Sequence, residues 1–252
     1  RSDVDEIVSS YSKIEYYLSC PYRYKLRHVC GLDTPPNPFF RFGQLLHFIL
    51  RLAHESYRDS GSVDTSALLE EYDTNFPTLN NVPAFTAKRM QKRCRKALEW
   101  YFNHKTDWLD ATWLVEHPFH LREEVQAGDS YISLNLRGQI DLIMSAGDTI
   151  HLVDFKTGKP HEYIRTDLQL QIYALALRQE LGQTPTKTTV YYVEEDKQKT
   201  FDIDSTWLES GRSEVREVAA RLAQEDFTAT PGRVCTRCEY RDFCPYAERK
   251  GV

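Results

Sequence analysis

Two aspartates and one lysine are the residues of this chain whose spacing best suits chemistry at a shared site. Asp154 and Lys156 stand two positions apart in "HLVDFKTGKP", and Asp141 stands in "RGQIDLIM". Side chains alternate between the two faces of a strand, so Asp154 and Lys156 share one face while Val153 and Phe155 share the other. Two neighbouring strands would then present two carboxylates and one ammonium at one place.

Such a set of side chains predicts a site for a hard divalent cation. Paired carboxylates suit Mg²⁺ or Mn²⁺, which accept carboxylate, carbonyl and water ligands. A lysine beside them could orient or deprotonate water, or stabilise charge developing on a phosphate. The alternative is an ordinary ion pair between Asp154 and Lys156 on a surface strand, which would contribute little to stability.

Three further polar residues favour the first interpretation, and the role of a fourth is open. Gln169 and Tyr173 stand four apart in "QLQIY", hence on one face of a predicted helix. His47 lies in the amphipathic pattern "FGQLLHFIL", and an imidazole ligand would favour Mn²⁺ over Mg²⁺. Glu116 in "VEHPF" is either a supporting acid of the site or a plain strand charge.

The cysteines form a second candidate site. No secretory leader is recognisable, so metal binding is expected rather than disulfides. A fourth ligand is needed beside the three grouped thiols, and Cys20 is the candidate, because Cys30 and Cys94 stand in contexts typical of strand or helix interiors. The spacing alone leaves zinc and a [4Fe–4S] cluster open, with unligated thiols as the third alternative. The grouped cysteines, in "CTRCEYRDFCPY", are Cys235, Cys238 and Cys244.

Composition restricts the partners. The chain of 252 residues has a net charge of −5, with 41% hydrophobic and 27% charged residues, which is typical of a globular protein. No apolar run approaches the ~20 residues that span a bilayer, so we expect no membrane partner and a cytoplasmic, intracellular protein of prokaryotic type. A negative net charge still permits nucleic-acid binding at a local basic patch.

Two segments could provide that patch. No acidic residue lies between Thr74 and Leu98, where six cations are crowded on a predicted helix. They could contact phosphates, or they could be a solvated helix face. Tyr22 and Arg23, beside Cys20, are a second candidate, where bases could stack on the rings. The six cations are Lys88, Arg89, Lys92, Arg93, Arg95 and Lys96.

The element pattern predicts an α+β fold with a central mixed sheet flanked by helices. The first helix is expected to begin at Ser12, which has capping-box form. Residues 1–110 are predicted to be mainly helical, 111–204 to form the catalytic sheet and helix, and 205–252 to form a last helix and the cysteine tail. One domain of residues 1–252 is expected.

The order of these motifs resembles the RecB-type branch of the PD-(D/E)XK nucleases over residues 10–246. The matching patterns are Gly43-x3-His47, Gly138-x2-Asp141, Asp154-Phe155-Lys156 and Gln169-x3-Tyr173. The proline that the superfamily has before the first aspartate is replaced by Ile140, and this branch often lacks it. The resemblance implies a restriction-endonuclease-like core.

The resemblance also implies roles for the residues. Lys156 would be the catalytic lysine, and Gln169 and Tyr173 would support it near the DNA. Glu116 resembles an extra acid of this branch, which would contact a metal ligand rather than the metal itself. One N-terminal and three C-terminal cysteines are what its iron–sulfur members show, so Cys20, Cys235, Cys238 and Cys244 would hold a [4Fe–4S] cluster. The metal ligands would be His47, Asp141, Asp154 and the backbone carbonyl of Phe155.

The implied function is a Mg²⁺- or Mn²⁺-dependent deoxyribonuclease, an exonuclease rather than an endonuclease, acting on single-stranded DNA or strand ends. It would be the nuclease domain of a helicase–nuclease in DNA repair and recombination, with the helicase module in the same chain or complex. A first residue other than methionine is consistent with such a fragment. Alternatives are a standalone CRISPR-adaptation nuclease, a non-catalytic iron–sulfur DNA-binding module, and a zinc-ribbon protein with an incidental acidic strand pair.

Overall fold

A mixed sheet organises the chain. The computed structural model describes residues 5–34, 39–78, 82–159 and 166–248. The strands are β1 (Asp5–Ser9), β2 (Thr112–Ala127), β3 (Ser130–Ala146), β4 (Thr149–Lys156), β5 (Lys187–Tyr192) and β6 (Lys197–Asp202). Their order in the sheet is β1-β3-β4-β5-β6, with β2 paired to β3. The β1–β3 and β4–β5 pairs are parallel, while β3–β4 and β5–β6 are antiparallel.

Helices flank this sheet, so the predicted α+β class is confirmed. A π-helical turn at Lys25–Val29 and a 3₁₀ turn at Arg233–Arg237 complete the described elements. Within the described residues, no helix combines the length and the hydropathy that crossing a bilayer requires. The helices are α1 (Tyr11–Ser19), α2 (Pro21–Tyr24), α3 (Phe40–Ser60), α4 (Thr65–Thr74), α5 (Ala84–His104), α6 (Thr106–Asp110), α7 (Thr166–Leu181) and α8 (Ser205–Ala223).

The chain divides into two compact units. The larger unit is formed by Pro36–Phe119 and Gln139–Leu208. The smaller unit is formed by Arg1–Pro35, His120–Gly138 and Glu209–Val252. The expectation of one nuclease domain across the whole chain stays a prediction.

The larger unit holds an aromatic and aliphatic core between its helices and β3, β4 and β5. On α3, buried apolar residues recur at helical spacing from Phe42 to Ala53, and the helix ends where Gly61 takes a left-handed φ of 70°. Phe155 of β4 packs against Tyr101 and Tyr191, with ring centroids 5.9 and 6.4 Å apart. Phe155 therefore faces the core, as strand alternation predicts.

The smaller unit is held by a buried ion-pair group and by its own helices. Glu123 of β2 is 6% exposed and lies 2.6 Å from the Arg216 guanidinium and 3.1 Å from that of Arg212. A buried carboxylate needs such compensation, and the two arginines fix α8 to β2. The Tyr17 hydroxyl of α1 donates to the carbonyl of Asp226, 2.5 Å away.

Several details differ from the sequence predictions. Helix α1 begins at Tyr11, with Ser10 as its N-cap, so the expected start at Ser12 is wrong. Strand β1 precedes it and was not predicted, because its partner on β3 lies more than 120 residues away.

Candidate active site

Two adjacent strands bring the predicted aspartates together in the larger unit. Asp141 of β3 and Asp154 of β4 stand one position beyond the Leu142–Val153 pair of the antiparallel ladder. They are 8% and 2% exposed. The backbone N–H of Phe155 donates to Asp141 Oδ2, 2.7 Å away, which fixes that carboxylate across the two strands.

Asp154 belongs to a closed hydrogen-bond network with Lys156 and two side chains of α7. Lys156 Nζ lies 2.8 Å from Asp154 Oδ2 and donates to Gln169 Oε1, also at 2.8 Å. Gln169 Nε2 donates to Asp154 Oδ1 at 2.7 Å, and the Tyr173 hydroxyl contacts both Gln169 Nε2, at 2.6 Å, and Asp154 Oδ1, at 3.3 Å. Four of the residues that the sequence places in the site thus meet in one network.

A group suited to a divalent cation lies beside this network. His47, Glu116 and Asp141 each offer a ligand atom, and these atoms all lie within 4.8 Å of one another. It is the one such group of three or more among the described residues. Two carboxylates and one imidazole fit Mn²⁺ or Mg²⁺. Asp154 does not belong to this group, so its role as a ligand stays a prediction, whereas Glu116 lies inside it.

Glu116 reaches this group through an unusual backbone conformation. Its φ is 48°, in the left-handed region that non-glycine residues rarely adopt, although it lies within β2. Burial raises the pKa of the Glu116 carboxyl, and the negative charge of Asp141 raises it further. A strained backbone and an unfavourable carboxylate in one residue are typical of functional sites.

The charges of the site shift the protonation of His47 and Asp154. Burial lowers the pKa of His47, but the carboxylates of Asp141, 3.4 Å from Nδ1, and Asp154 together outweigh burial and raise this pKa to about 9. Burial raises the pKa of Asp154, Lys156 opposes this shift, and Asp141 adds to it. Negative charge is therefore crowded at the site, and a cation would relieve it.

The turn after β4 is held by a buried acid that the sequence prediction missed. Glu194 Oε1 accepts a hydrogen bond from the Gly158 N–H at 2.7 Å, and its other oxygen pairs with Arg93 of α5. The Glu194 side chain is 1% exposed. A Cβ at Gly43 of α3 would lie 3.5 Å from Thr157 Oγ1, so α3 also approaches this turn closely.

The six cations of α5 are not equivalent. Arg93 pairs with Glu194, while Arg95 pairs with Glu99 and with Asp73, whose Oδ2 lies 2.8 Å from its Nε. The expectation of six uncompensated charges is therefore wrong for these two arginines, because acids outside the basic segment fold back onto them. Lys88, Arg89, Lys92 and Lys96 are exposed.

The second predicted nucleic-acid surface is also partly paired. In the smaller unit, Arg23 donates to Glu239 Oε2 from Nε at 2.9 Å and from Nη2 at 2.6 Å, and its guanidinium lies 4.0 Å from the centre of the Tyr16 ring. Tyr22 packs edge-on against Tyr246, with ring centroids 4.8 Å apart. The Arg23 guanidinium is thus already engaged by Glu239 and Tyr16 of the same chain.

The smaller unit gathers four cysteines. Cys94 is buried in α5 of the larger unit, and Cys30 is exposed, so neither belongs to the gathered set. Cys235 is buried and the other three are partly exposed. The cysteines that line this one cavity are Cys20, Cys235, Cys238 and Cys244.

The mixed six-stranded sheet with its flanking helices is a restriction-endonuclease-like α+β fold. The sequence matches the profile of the PD-(D/E)XK nuclease superfamily over residues 8–245, so the chain belongs to this superfamily. Membership indicates a metal-dependent nuclease, which would act on DNA. No curated protein matches the chain significantly.

Two solved structures are distantly similar to the chain. The crystal structure of SSO0001 is similar over 91% of this chain and 96% of its own, with 12% identity and a TM-score of 0.37. The crystal structure of protein VC1899 from Vibrio cholerae is similar over 84% of this chain and 56% of its own, with 11% identity and a TM-score of 0.22. Neither likeness carries an argument about function.

Proposed function

We propose that this chain is a Mg²⁺- or Mn²⁺-dependent deoxyribonuclease of the RecB type that hydrolyses phosphodiester bonds of single-stranded DNA. The observation that carries the proposal is the Asp154–Lys156–Gln169–Tyr173 network beside a three-ligand group. A surface ion pair would not need four mutually bonded side chains, of which Asp154 is 2% exposed.

The ligand group supports a metal-dependent reaction. His47, Glu116 and Asp141 would hold the ion, and the RecB-type resemblance adds Asp154 and the carbonyl of Phe155. A divalent ion there would neutralise charge on the scissile phosphate and lower the pKa of water. The Phe155 N–H bond to Asp141 Oδ2 would keep that carboxylate fixed while Oδ1 faces His47.

Lys156 acts as a positive charge in this proposal. The contacts of Lys156 to the Asp154 carboxylate and to the Gln169 carbonyl oxygen both require Nζ to donate. A fixed ammonium would stabilise the negative charge that develops on the phosphate oxygens during attack by water. Gln169 and Tyr173 would orient Asp154 and Lys156 from one face of α7.

Cleavage of a labelled single-stranded oligonucleotide tests the proposal. We expect cleavage with Mn²⁺ or Mg²⁺ and none with EDTA. Lys156→Met should slow cleavage by about 10²–10³-fold, the usual loss for one charge-stabilising donor, and Asp154→Asn should abolish it, both with the fold retained by circular dichroism. Lys187→Met, an exposed lysine at the far end of β5, is the control. Wild-type rates for Lys156→Met would refute the assignment.

We further propose that the four cysteines of the smaller unit hold a [4Fe–4S] cluster. All four line one cavity. One N-terminal and three C-terminal cysteines are also the pattern of the iron–sulfur members of the RecB-type nucleases, and this resemblance favours a [4Fe–4S] cluster over zinc.

Iron and sulfide analysis of the anaerobically purified protein tests the cluster. A brown protein with about four irons per chain is expected, and Cys235→Ser should lose iron and colour. Cys30→Ser is the matched control, because Cys30 is exposed and does not line the cavity. A colourless protein that contains zinc would refute the proposal.

The RecB-type resemblance further supports exonuclease action on strands delivered by a helicase during DNA repair. Circular and linear single-stranded substrates separate the two modes of cutting. Degradation of the linear strand alone is expected, whereas cutting of the circle would show an endonuclease. A motor with a phosphate-binding loop in the same chain or complex would identify the helicase partner.

A further inference from the structure

One stripe of α5 faces away from the core of the larger unit. Its members follow Phe85 at intervals of three, four, seven and eleven residues, so they lie within about 100° of one another on a helix of 3.6 residues per turn. The buried residues Cys94, Leu98 and Tyr101 lie on the opposite side of the helix. The stripe, named here the α5 stripe, consists of Phe85, Lys88, Arg89, Lys92 and Lys96.

The α5 stripe combines an exposed ring with exposed cations. Phe85 is 75% exposed, the largest exposure of any large hydrophobic residue in the described part of the chain. The four cations are exposed, and none of them forms an ion pair within the described residues. Arg93 and Arg95 flank the stripe, and Arg95 pairs with Glu99, the acid of α5 that follows Lys96 by three residues, while Arg93 pairs with Glu194.

We infer that the α5 stripe binds single-stranded DNA, with Phe85 stacking on a base and the four cations contacting backbone phosphates. Aromatic platforms combined with positive rows are how proteins bind single strands, because an unpaired base offers a free face to the ring. In a duplex that face is covered by the neighbouring base pairs. The stripe is about 16 Å long at 1.5 Å per residue.

The stripe is anchored to the candidate active site. Arg93, on the flank of the stripe, pairs with Glu194, which also accepts the Gly158 N–H. Gly158 follows Lys156 by two residues. A strand on the stripe would therefore be held by a helix fixed to the turn that follows the proposed catalytic lysine. This inference rests on the proposed nuclease function and names the surface that would bind its single-stranded substrate.

Fluorescence anisotropy with a labelled 12-nucleotide oligodeoxythymidylate tests the ring. The whole chain is used, in EDTA, so that binding is measured without cleavage. Phe85→Ala should weaken binding about 5- to 100-fold, the usual loss of one stacked base, whereas Phe85→Trp should retain it. Binding of a blunt duplex of equal length should not change. Tyr131→Ala removes another exposed ring, on β3, and is the matched control.

Salt dependence tests the cations. Each phosphate contact adds about −0.7 to the slope of log K against log salt for a single strand. Exchanging Lys88 and Lys92 together for glutamine should therefore reduce the slope by about 1.4 and weaken duplex binding as well. The control exchanges Lys187 and Lys199, two exposed lysines of β5 and β6.

The outcomes separate this inference from the proposed function. Wild-type affinity for the single strand in Phe85→Ala, or an equal loss in Tyr131→Ala, would refute the stripe while leaving cleavage by the wild type untouched. If the wild type binds the oligonucleotide through the stripe but does not cleave it with Mn²⁺ or Mg²⁺, the nuclease assignment fails and the stripe stands. An unchanged salt slope in the Lys88 and Lys92 double variant would refute the phosphate contacts.

Discussion

Replacing Glu116 by glutamine should change the response of the protein to Mn²⁺. The substitution keeps the size of the side chain but removes one of two carboxylates from a group whose ligand atoms lie within 4.8 Å of one another. Burial and then Asp141 raise the pKa of Glu116. A carboxyl whose folded pKa exceeds its unfolded value costs stability at neutral pH. Without metal, Glu116→Gln should therefore be at least as stable as the wild type.

The expected magnitude follows from mass action. A ligand present at 100 times its Kd stabilises the folded state by about 2.7 kcal/mol. For a chain of this size, 1 kcal/mol corresponds to about 2–4 °C, so the wild-type Tm should rise by about 5–11 °C. If loss of the carboxylate weakens binding a hundredfold, the same Mn²⁺ concentration gives about 0.4 kcal/mol, or about 1–2 °C.

Thermal unfolding with and without Mn²⁺ measures both effects. Glu124→Gln, the same change at an exposed position of the same strand, is the control and should keep the full Mn²⁺ shift. If Glu116 is a metal ligand, Glu116→Gln should keep or raise the Tm measured without metal and should lose the rise in Tm that Mn²⁺ causes. A variant that loses metal-free stability and keeps the wild-type Mn²⁺ shift would show that Glu116 is structural, and the reasoning would fail.

Three other substitutions have expected outcomes. His54 is fully buried, and burial lowers its pKa to about 3, below the unfolded value of 6.5. Its contribution to the stability of the fold is therefore complete above pH 6.5 and is lost as the pH falls. Urea unfolding should show that the stability difference between the wild type and His54→Asn shrinks by about 2 kcal/mol between pH 7 and pH 5. Glu194→Gln should lower the free energy of unfolding by about 2 kcal/mol in the same assay, because the charge-assisted bonds of a buried carboxylate weaken. Glu195→Gln, a control whose partner is exposed, should lower it by less than about 0.5 kcal/mol. Equal losses in the two variants would contradict the anchoring role of Glu194. Tyr173→Phe should cost about 1 kcal/mol and slow cleavage about tenfold by freeing Asp154; an unchanged cleavage rate would remove Tyr173 from the site.

Local patterns predicted most of the fold. Residues 111–204 were predicted to form a sheet and a helix, and the structure has β2 to β6 and α7 in that range. Amphipathic spacing predicted α3 and α5 equally well. The same reasoning missed β1, a five-residue strand whose parallel pairing with β3 depends on a partner far along the chain. Short strands carry too little local signal to show such a partner.

Sequence patterns likewise predicted some residues of the candidate site and missed others. Period-two alternation and an antiparallel turn suffice to bring Asp141, Asp154 and Lys156 together, and the structure has them adjacent. Glu116 enters the ligand group through a φ of 48°, which no sequence pattern announces. Glu194 was missed because its importance comes from burial and from bonds to Gly158 and an arginine of another helix. Tertiary contacts decide these roles.

Tertiary pairing also decides which cations of α5 are available to a ligand. The sequence alone suggests that the six basic residues of α5 form one patch. In the structure Arg93 and Arg95 form ion pairs with acids, while the four cations of the α5 stripe are exposed. Arginine suits fixed pairing because its planar fork loses little freedom per bond, and lysine suits loose phosphate contact as a mobile point charge. Arg93→Lys should therefore weaken the ion pair with Glu194 more than it weakens DNA binding. Unfolding measurements on this variant would show a loss of stability, and anisotropy measurements on the same variant would show a nearly unchanged affinity for DNA.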